Sequence, residues 1–64
     1  MIEEMTKERA YGILGLPVDA DFSTTSLAFR NLRNKYHPDI NPRMRREYTE
    51  VLAAFEYLQR MFSD

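Results

Sequence analysis

Residues 35–42 read KYHPDINP, and this stretch decides the fold because it separates two helical patterns. A proline disfavours the α conformation in the residue before it, so Pro38 and Pro42 together exclude a helix that runs through 37–42. The segments on both sides lack strict alternation of apolar and polar residues and contain few β-branched residues. The sequence therefore predicts an all-α chain with a loop at 37–42.

The segment before this loop has the pattern of an amphipathic helix. Its apolar side chains recur at helical spacing and form one stripe, with Arg30 and Arg33 on the solvent side. Asp21 or Ser23 can cap the first turn by accepting a hydrogen bond from a free backbone N–H, so we expect a helix at about 22–36. The stripe consists of Thr25, Ala28, Phe29, Leu32 and Tyr36.

The segment after the loop carries a second stripe of apolar residues. We expect a helix at about 43–61, with the polar residues, Glu47 among them, facing water. Because the connection is short, this helix and the one before it should pack as an antiparallel hairpin. The stripe consists of Tyr48, Val51, Leu52, Phe55, Leu58 and Phe62.

A shorter helix is expected before the hairpin, at about 4–14. Thr6 is a candidate N-cap, and Gly15 followed by Pro17 gives the order that commonly ends a helix. The apolar residues at the end of this helix require it to lie across the hairpin. The expected architecture is therefore a small all-α bundle in which a short first helix packs across an antiparallel pair.

Length and composition exclude several classes of protein. A chain of 64 residues makes one domain that buries only about 60% of its unfolded surface, so a deep active site is not expected. The sequence has no cysteine and one histidine, which excludes disulfides and the usual zinc sites. Neither a membrane span nor a signal peptide is visible. We expect a monomeric, cytoplasmic, non-enzymatic protein that binds no membrane, cofactor or metal.

Charge is distributed unevenly along the chain. Residues 1–22 carry a formal charge of −3, residues 23–46 carry +5 and residues 47–64 carry −3, which gives a net charge of −1. The basic middle could meet the acidic ends within the molecule, or it could form a positive face for an anionic partner. Charge alone leaves both interpretations open.

The tripeptide HPD at 37–39 is preceded by KY, with AYGILGLPVDA upstream at 10–20 and EYTEVLAAFEYL downstream at 47–58. Together these segments resemble the J-domain, the module by which Hsp40 co-chaperones of the DnaJ family engage Hsp70. The resemblance covers about residues 9–58. The tripeptide alone is a weak signal, whereas the tripeptide with these flanking segments at this spacing is a specific one.

The resemblance implies a function in protein folding. In the family, HPD lies at the tip of the helical hairpin and contacts a DnaK-type Hsp70, which accelerates ATP hydrolysis and retains the client. The basic face of the second helix adds charge complementarity. The chain is thereby expected to be an Hsp70 co-chaperone module that stimulates the Hsp70 ATPase. The residues that the resemblance implies for Hsp70 binding are His37, Pro38, Asp39, Arg30, Arg33, Lys35 and Asn41.

Some positions depart from the family pattern and keep two alternatives open. Ser26, Leu27 and Asn31 occupy positions that are frequently basic in the family, and Ile40 stands where a basic residue is common. One alternative is therefore a J-like protein-docking module without Hsp70 stimulation. The other is a small helical nucleic-acid-binding domain. Against it stand a pI of about 5.7 and a loop too long for a helix-turn-helix.

Overall fold

The computed structural model describes residues 4–37 and 39–63. Within these two ranges the chain forms helices without any strand, which confirms the all-α fold class. No helix there has the length and apolar character that crossing a membrane requires. The elements in chain order are α1 (Lys7–Leu14), α2 (Phe22–Tyr36), a short 3₁₀ turn (Pro42–Met44) and α3 (Arg45–Ser63).

Helix α1 has its bounds set by capping residues. Thr6 is the N-cap, and its side chain accepts a hydrogen bond from the Arg9 backbone N–H at 3.1 Å. Gly15 is the C-cap with a φ of 72°, a left-handed conformation that glycine adopts readily because it has no Cβ. The cap at Thr6 makes Lys7 the first helical residue, whereas the sequence suggests a start near residue 4.

Helix α2 begins at an acidic cap. The Asp21 carboxylate accepts a hydrogen bond from the Thr24 backbone N–H at 2.8 Å, and this bond lowers the pKa of the Asp21 carboxyl below its usual value of 3.8. Thr25 is fully buried, and its hydroxyl donates to the Asp21 carbonyl at 2.8 Å. The connector before the cap is held by Tyr11, whose hydroxyl donates to the Ala20 carbonyl at 3.1 Å.

The core lies where α1 packs against α3. Partly buried side chains of α2, among them Phe29, Leu32 and Tyr36, close the remaining side of this core. Helix α1 therefore covers the hairpin, as the sequence predicts. The buried apolar residues are Ala10, Tyr11, Leu14, Val51, Ala54 and Leu58.

Helices α2 and α3 form an antiparallel hairpin that is joined by contacts between rings. In the ring pairs given below, a higher residue number on the α2 side goes with a lower one on α3, so the two helices run in opposite directions. Edge-to-face and offset-stacked ring pairs add to the stabilisation that burial alone provides. The pairs, from the loop outward, are His37 with Tyr48 at 5.6 Å, Phe29 with Phe55 at 4.0 Å and Phe22 with Phe62 at 5.3 Å between ring centroids.

The start of the third helical segment differs from the expected α-helix. Pro42–Met44 form a 3₁₀ turn, in which the Met44 backbone N–H donates to the Asn41 carbonyl at 2.9 Å. A bond to the third preceding residue gives a tighter turn than the α-helix. Helix α3 proper therefore begins at Arg45 and continues to Ser63.

Glu47 is expected to face water, and this expectation is wrong. The residue is half-buried, and its Oε2 atom is enclosed without a hydrogen-bond partner among the described residues. Glu47 precedes the buried Val51 by four residues, so both lie on the same face of α3. Glu47 therefore lies on the side of α3 that faces the core.

Candidate functional site

The backbone of the loop between α2 and α3 is a tight turn anchored on the end of α2. The His37 carbonyl accepts hydrogen bonds from the backbone N–H groups of Ile40 at 2.9 Å and of Asn41 at 2.8 Å. The Asn41 side chain reaches back, and its Nδ2 donates to the Lys35 carbonyl at 2.6 Å. The last carbonyls of a helix have no partner within the helix, so these bonds both satisfy them and shape the loop.

His37 and Asp39 present their side chains at the tip of the hairpin. His37 Nδ1 accepts a hydrogen bond from the Asp39 backbone N–H at 3.2 Å and lies 3.7 Å from Asp39 Oδ2. A ring nitrogen that accepts a hydrogen bond carries no proton, so the neutral imidazole holds its proton on Nε2. The side chains are 42% and 91% exposed, respectively. The predicted site residue Pro38, between them, lies outside the described residues.

Tyr48 of α3 supports the His37 ring. The two rings meet at an interplanar angle of 66°, the edge-to-face arrangement that aromatic rings favour. The apolar pattern predicts Tyr48 only as a member of the core stripe, and its contact with the site is missed. The signal for this contact is its position in the first turns of α3, which an antiparallel hairpin places opposite the end of α2.

The predicted basic residues of α2 lie in different environments. Arg30 is exposed. Arg33 is half-buried rather than fully on the solvent side, because its guanidinium carbon lies 5.5 Å from the centre of the Phe29 ring. Lys35 is exposed, with its ammonium 5.6 Å from the centre of the Tyr36 ring. Both distances fit cation–π contacts, which hold these two cations close to the helix surface.

The exposed face of α2 also carries uncharged residues. Leu27 is 59% exposed, and Asn31 is exposed as well. Leu27, Arg30 and Asn31 are spaced by three and four residues, so they share one side of the helix. The surface that leads toward the loop is therefore mixed, with one exposed arginine beside an apolar and an amide side chain.

The side chains at the tip of the hairpin can form hydrogen bonds with a binding partner. The His37 ring carries an N–H donor at Nε2, and the Asp39 carboxylate is an acceptor next to it. Both stand on a loop whose backbone is already hydrogen-bonded to the His37 carbonyl at the cap of α2. A donor and an acceptor held in fixed positions suit a polar partner surface, because little freedom is lost when they bind.

Comparisons with known proteins match the segment that carries this loop. The DnaJ domain family model matches residues 9–61. Among curated relatives, the chaperone protein DnaJ of Streptococcus thermophilus is 43% identical over 56 residues, 84% of this chain and 15% of the relative. That of Lactobacillus acidophilus is 41% identical with the same coverage, and that of Prochlorococcus marinus is 42% identical over 50 residues, 75% of this chain and 13% of the relative. No solved structure matches the chain significantly.

The family assignment follows from these matches. The DnaJ domain family model covers all of α2 and the loop, together with most of α1 and α3. The chain spans about 15% of the length of these curated relatives. The resemblance read from the HPD tripeptide and its flanking segments is thereby confirmed, and the chain belongs to the DnaJ domain family.

Proposed function

We propose that the chain is a co-chaperone module that binds a DnaK-type Hsp70 through the loop between α2 and α3 and stimulates its ATPase. The observation that carries the proposal is the exposed Asp39 carboxylate beside the half-exposed His37 ring at the tip of the hairpin. Pro38 belongs to this site by its place in the sequence. ATP is hydrolysed on Hsp70, and the chain itself carries out no chemical step.

Order in the loop before binding supports the proposal. Immobilising a flexible residue costs about 1–2 kcal/mol of backbone entropy. The His37 carbonyl already accepts two backbone hydrogen bonds, and the Asn41 amide is bound to the Lys35 carbonyl. The free energy lost on docking is reduced accordingly. In this proposal Asn41 acts by shaping the loop, because its amide is used within the molecule.

Charge supplies the second part of the proposed contact. Arg30 is exposed two helical turns before His37, while Arg33 and Lys35 lie closer to the loop. Cations at the edge of an interface mainly raise the rate of association with an acidic partner, and salt screens their effect. A contact of this kind is transient and salt-sensitive, which suits a module that must release Hsp70 after hydrolysis.

Single-turnover ATP hydrolysis by a DnaK-type Hsp70, with and without the chain, tests the proposal. The wild-type chain should accelerate hydrolysis, and His37→Gln should abolish the acceleration because glutamine lacks the aromatic ring that packs edge-to-face on Tyr48 and holds the donor in place. Val18→Ala is the control, since Val18 is an exposed apolar residue in the connector before α2, at the opposite end of that helix from the loop. Circular dichroism verifies that both variants stay helical. A folded wild-type chain that leaves the hydrolysis rate unchanged refutes the proposal.

A second candidate function is protein docking without stimulation. It is favoured by the exposed Leu27, which interrupts the charged face of α2. Measuring binding beside hydrolysis separates the two candidates. A chain that binds Hsp70 without changing its hydrolysis rate fits docking alone, whereas acceleration that His37→Gln removes fits the co-chaperone module.

A further inference from the structure

We infer that Arg43 and Arg45 extend the Hsp70-docking surface to the α3 side of the loop, an inference that rests on the proposed function. The partner surface that receives the loop would then be acidic on both sides. The basic face of α2 would meet one side, and these two arginines, termed here the α3-side cations, would meet the other.

Geometry places the α3-side cations beside the loop. Arg43 lies in the 3₁₀ turn and Arg45 is the first residue of α3, and both are exposed. Arg45 precedes Tyr48 by three residues, so both lie on the same side of α3. Tyr48 contacts the ring of His37. The first turn of α3 is therefore held next to the histidine of the site.

The other end of the loop holds these cations near the end of α2. The Asn41 amide donates to the Lys35 carbonyl at 2.6 Å, and the 3₁₀ turn that contains Arg43 follows Asn41 directly. Lys35 and Arg43 thus stand at the two ends of one hydrogen-bonded turn. The positive charge of α2 continues across the loop into α3.

The charge of the α3-side cations is not neutralised within the described part of the chain. No hydrogen bond or ion pair of their guanidinium groups occurs between described residues. Arg46 makes no ion pair there either, although Glu50 follows it by four residues, a spacing at which opposite charges on a helix attract. Arg43 and Arg45 therefore keep their positive charge available for a partner.

Helix stability does not explain why these arginines are here. Cations near the N-terminus of a helix oppose its macrodipole, and acidic residues are favoured there. Glu47 is the acidic residue of the first turn of α3, and it is half-buried. A position that is unfavourable for the isolated helix is understandable if the arginines serve an interface.

The observations favour an acidic protein surface over a nucleic acid. Asp39 lies between the basic face of α2 and the α3-side cations, and its side chain is 91% exposed. A carboxylate in this central position repels a phosphate backbone. The segments on either side, 1–22 and 47–64, each carry a formal charge of −3. A protein partner can offer acidic groups at the edges alone, whereas the phosphates of a duplex are continuous.

Association kinetics with ATP-bound Hsp70 test the inference. The double variant Arg43→Ala/Arg45→Ala should associate about three- to tenfold more slowly at low salt, and the difference should shrink at high salt. The matched control is Lys7→Ala/Arg60→Ala, which removes the same charge from exposed positions. Arg60 lies about 22 Å from Arg45 along the helix axis, so the control should associate at nearly the wild-type rate. Arg43→Lys/Arg45→Lys should recover most of the rate.

The possible outcomes separate this inference from the proposed function. If wild type stimulates hydrolysis and the double variant associates at the rate of the control, the inference is overturned while the proposed function stands. If wild type neither binds nor stimulates Hsp70, both fail. If the double variant keeps the wild-type association rate but loses salt-sensitive binding to duplex DNA, the α3-side cations belong to a nucleic-acid surface and the inference is overturned. Circular dichroism verifies folding throughout.

Discussion

Replacing Asn41 with alanine should loosen the loop and leave the three helices in place. The Asn41 amide donates to the Lys35 carbonyl at 2.6 Å, and that carbonyl belongs to the last turn of α2, where no helical N–H follows to bind it. One hydrogen bond of this kind contributes about 0.5–1.5 kcal/mol net. Because water can replace the amide at this exposed position, we expect the lower half of that range, about 0.5–1 kcal/mol.

The effect of Asn41→Ala should appear in the loop first. A change of this size alters an opening equilibrium about two- to fivefold. The backbone N–H groups of Ile40 and of residue 41, both bonded to the His37 carbonyl, should exchange with solvent faster by the same factor. Hydrogen exchange measured by NMR reports this local change. Urea unfolding followed by circular dichroism should show a loss of no more than about 1 kcal/mol.

Asn34→Ala is the matched control for this prediction. Asn34 is an exposed asparagine of α2, and its side chain makes no hydrogen bond among the described residues. Alanine favours helix more than asparagine does, so this variant should be as stable as wild type or slightly more so. Equal exchange rates at Ile40 in the two variants would refute the view that the Asn41 side chain holds the loop.

Two further predictions concern the core and the cap of α2. Leu58→Ala should lower the free energy of unfolding by about 2–5 kcal/mol, because Leu58 is fully buried. Met61→Ala, at a position 42% exposed, is the control. Equal losses of unfolding free energy in chemical denaturation of the two variants would contradict the prediction. The pKa of Asp21 is lowered in the folded chain, so its stabilising effect is present above 3.8, the usual value, and is lost as the pH falls through the folded-state pKa. Asp21→Asn keeps the capping oxygen without the charge and should flatten this part of the dependence of melting temperature on pH; a curve identical to that of wild type would disprove the link.

Local signals account for the features that the sequence predicts well. The caps at Thr6 and Asp21 act on N–H groups three residues away, and Gly15 acts on its own backbone, so neighbouring residues suffice to predict them. The stripe of α2 is predicted for the same reason, since helical periodicity places Thr25 and Phe29 on one face. The tripeptide of the candidate site is read from its own residues and their flanking segments.

Contacts between helices account for what the sequence leaves undetermined. The burial of Glu47 depends on how the helices pack together, which periodicity within α3 alone does not fix. The edge-to-face contact of His37 with Tyr48 depends on the register of the hairpin. Arg33 illustrates the same limit, because an arginine outside the apolar stripe still covers the Phe29 ring with its guanidinium group. In each case the helix that holds the residue is predicted correctly, but the side chains that contact the residue are not.

The ring contacts between α2 and α3 also determine how the molecule carries mechanical load. One contact is next to the loop, one is near the middle of the hairpin and one is at its far end. We expect a force applied to His37 to reach α3 at each of these three contacts. We therefore expect the loop and both helices to turn together when a partner turns the tip of the hairpin.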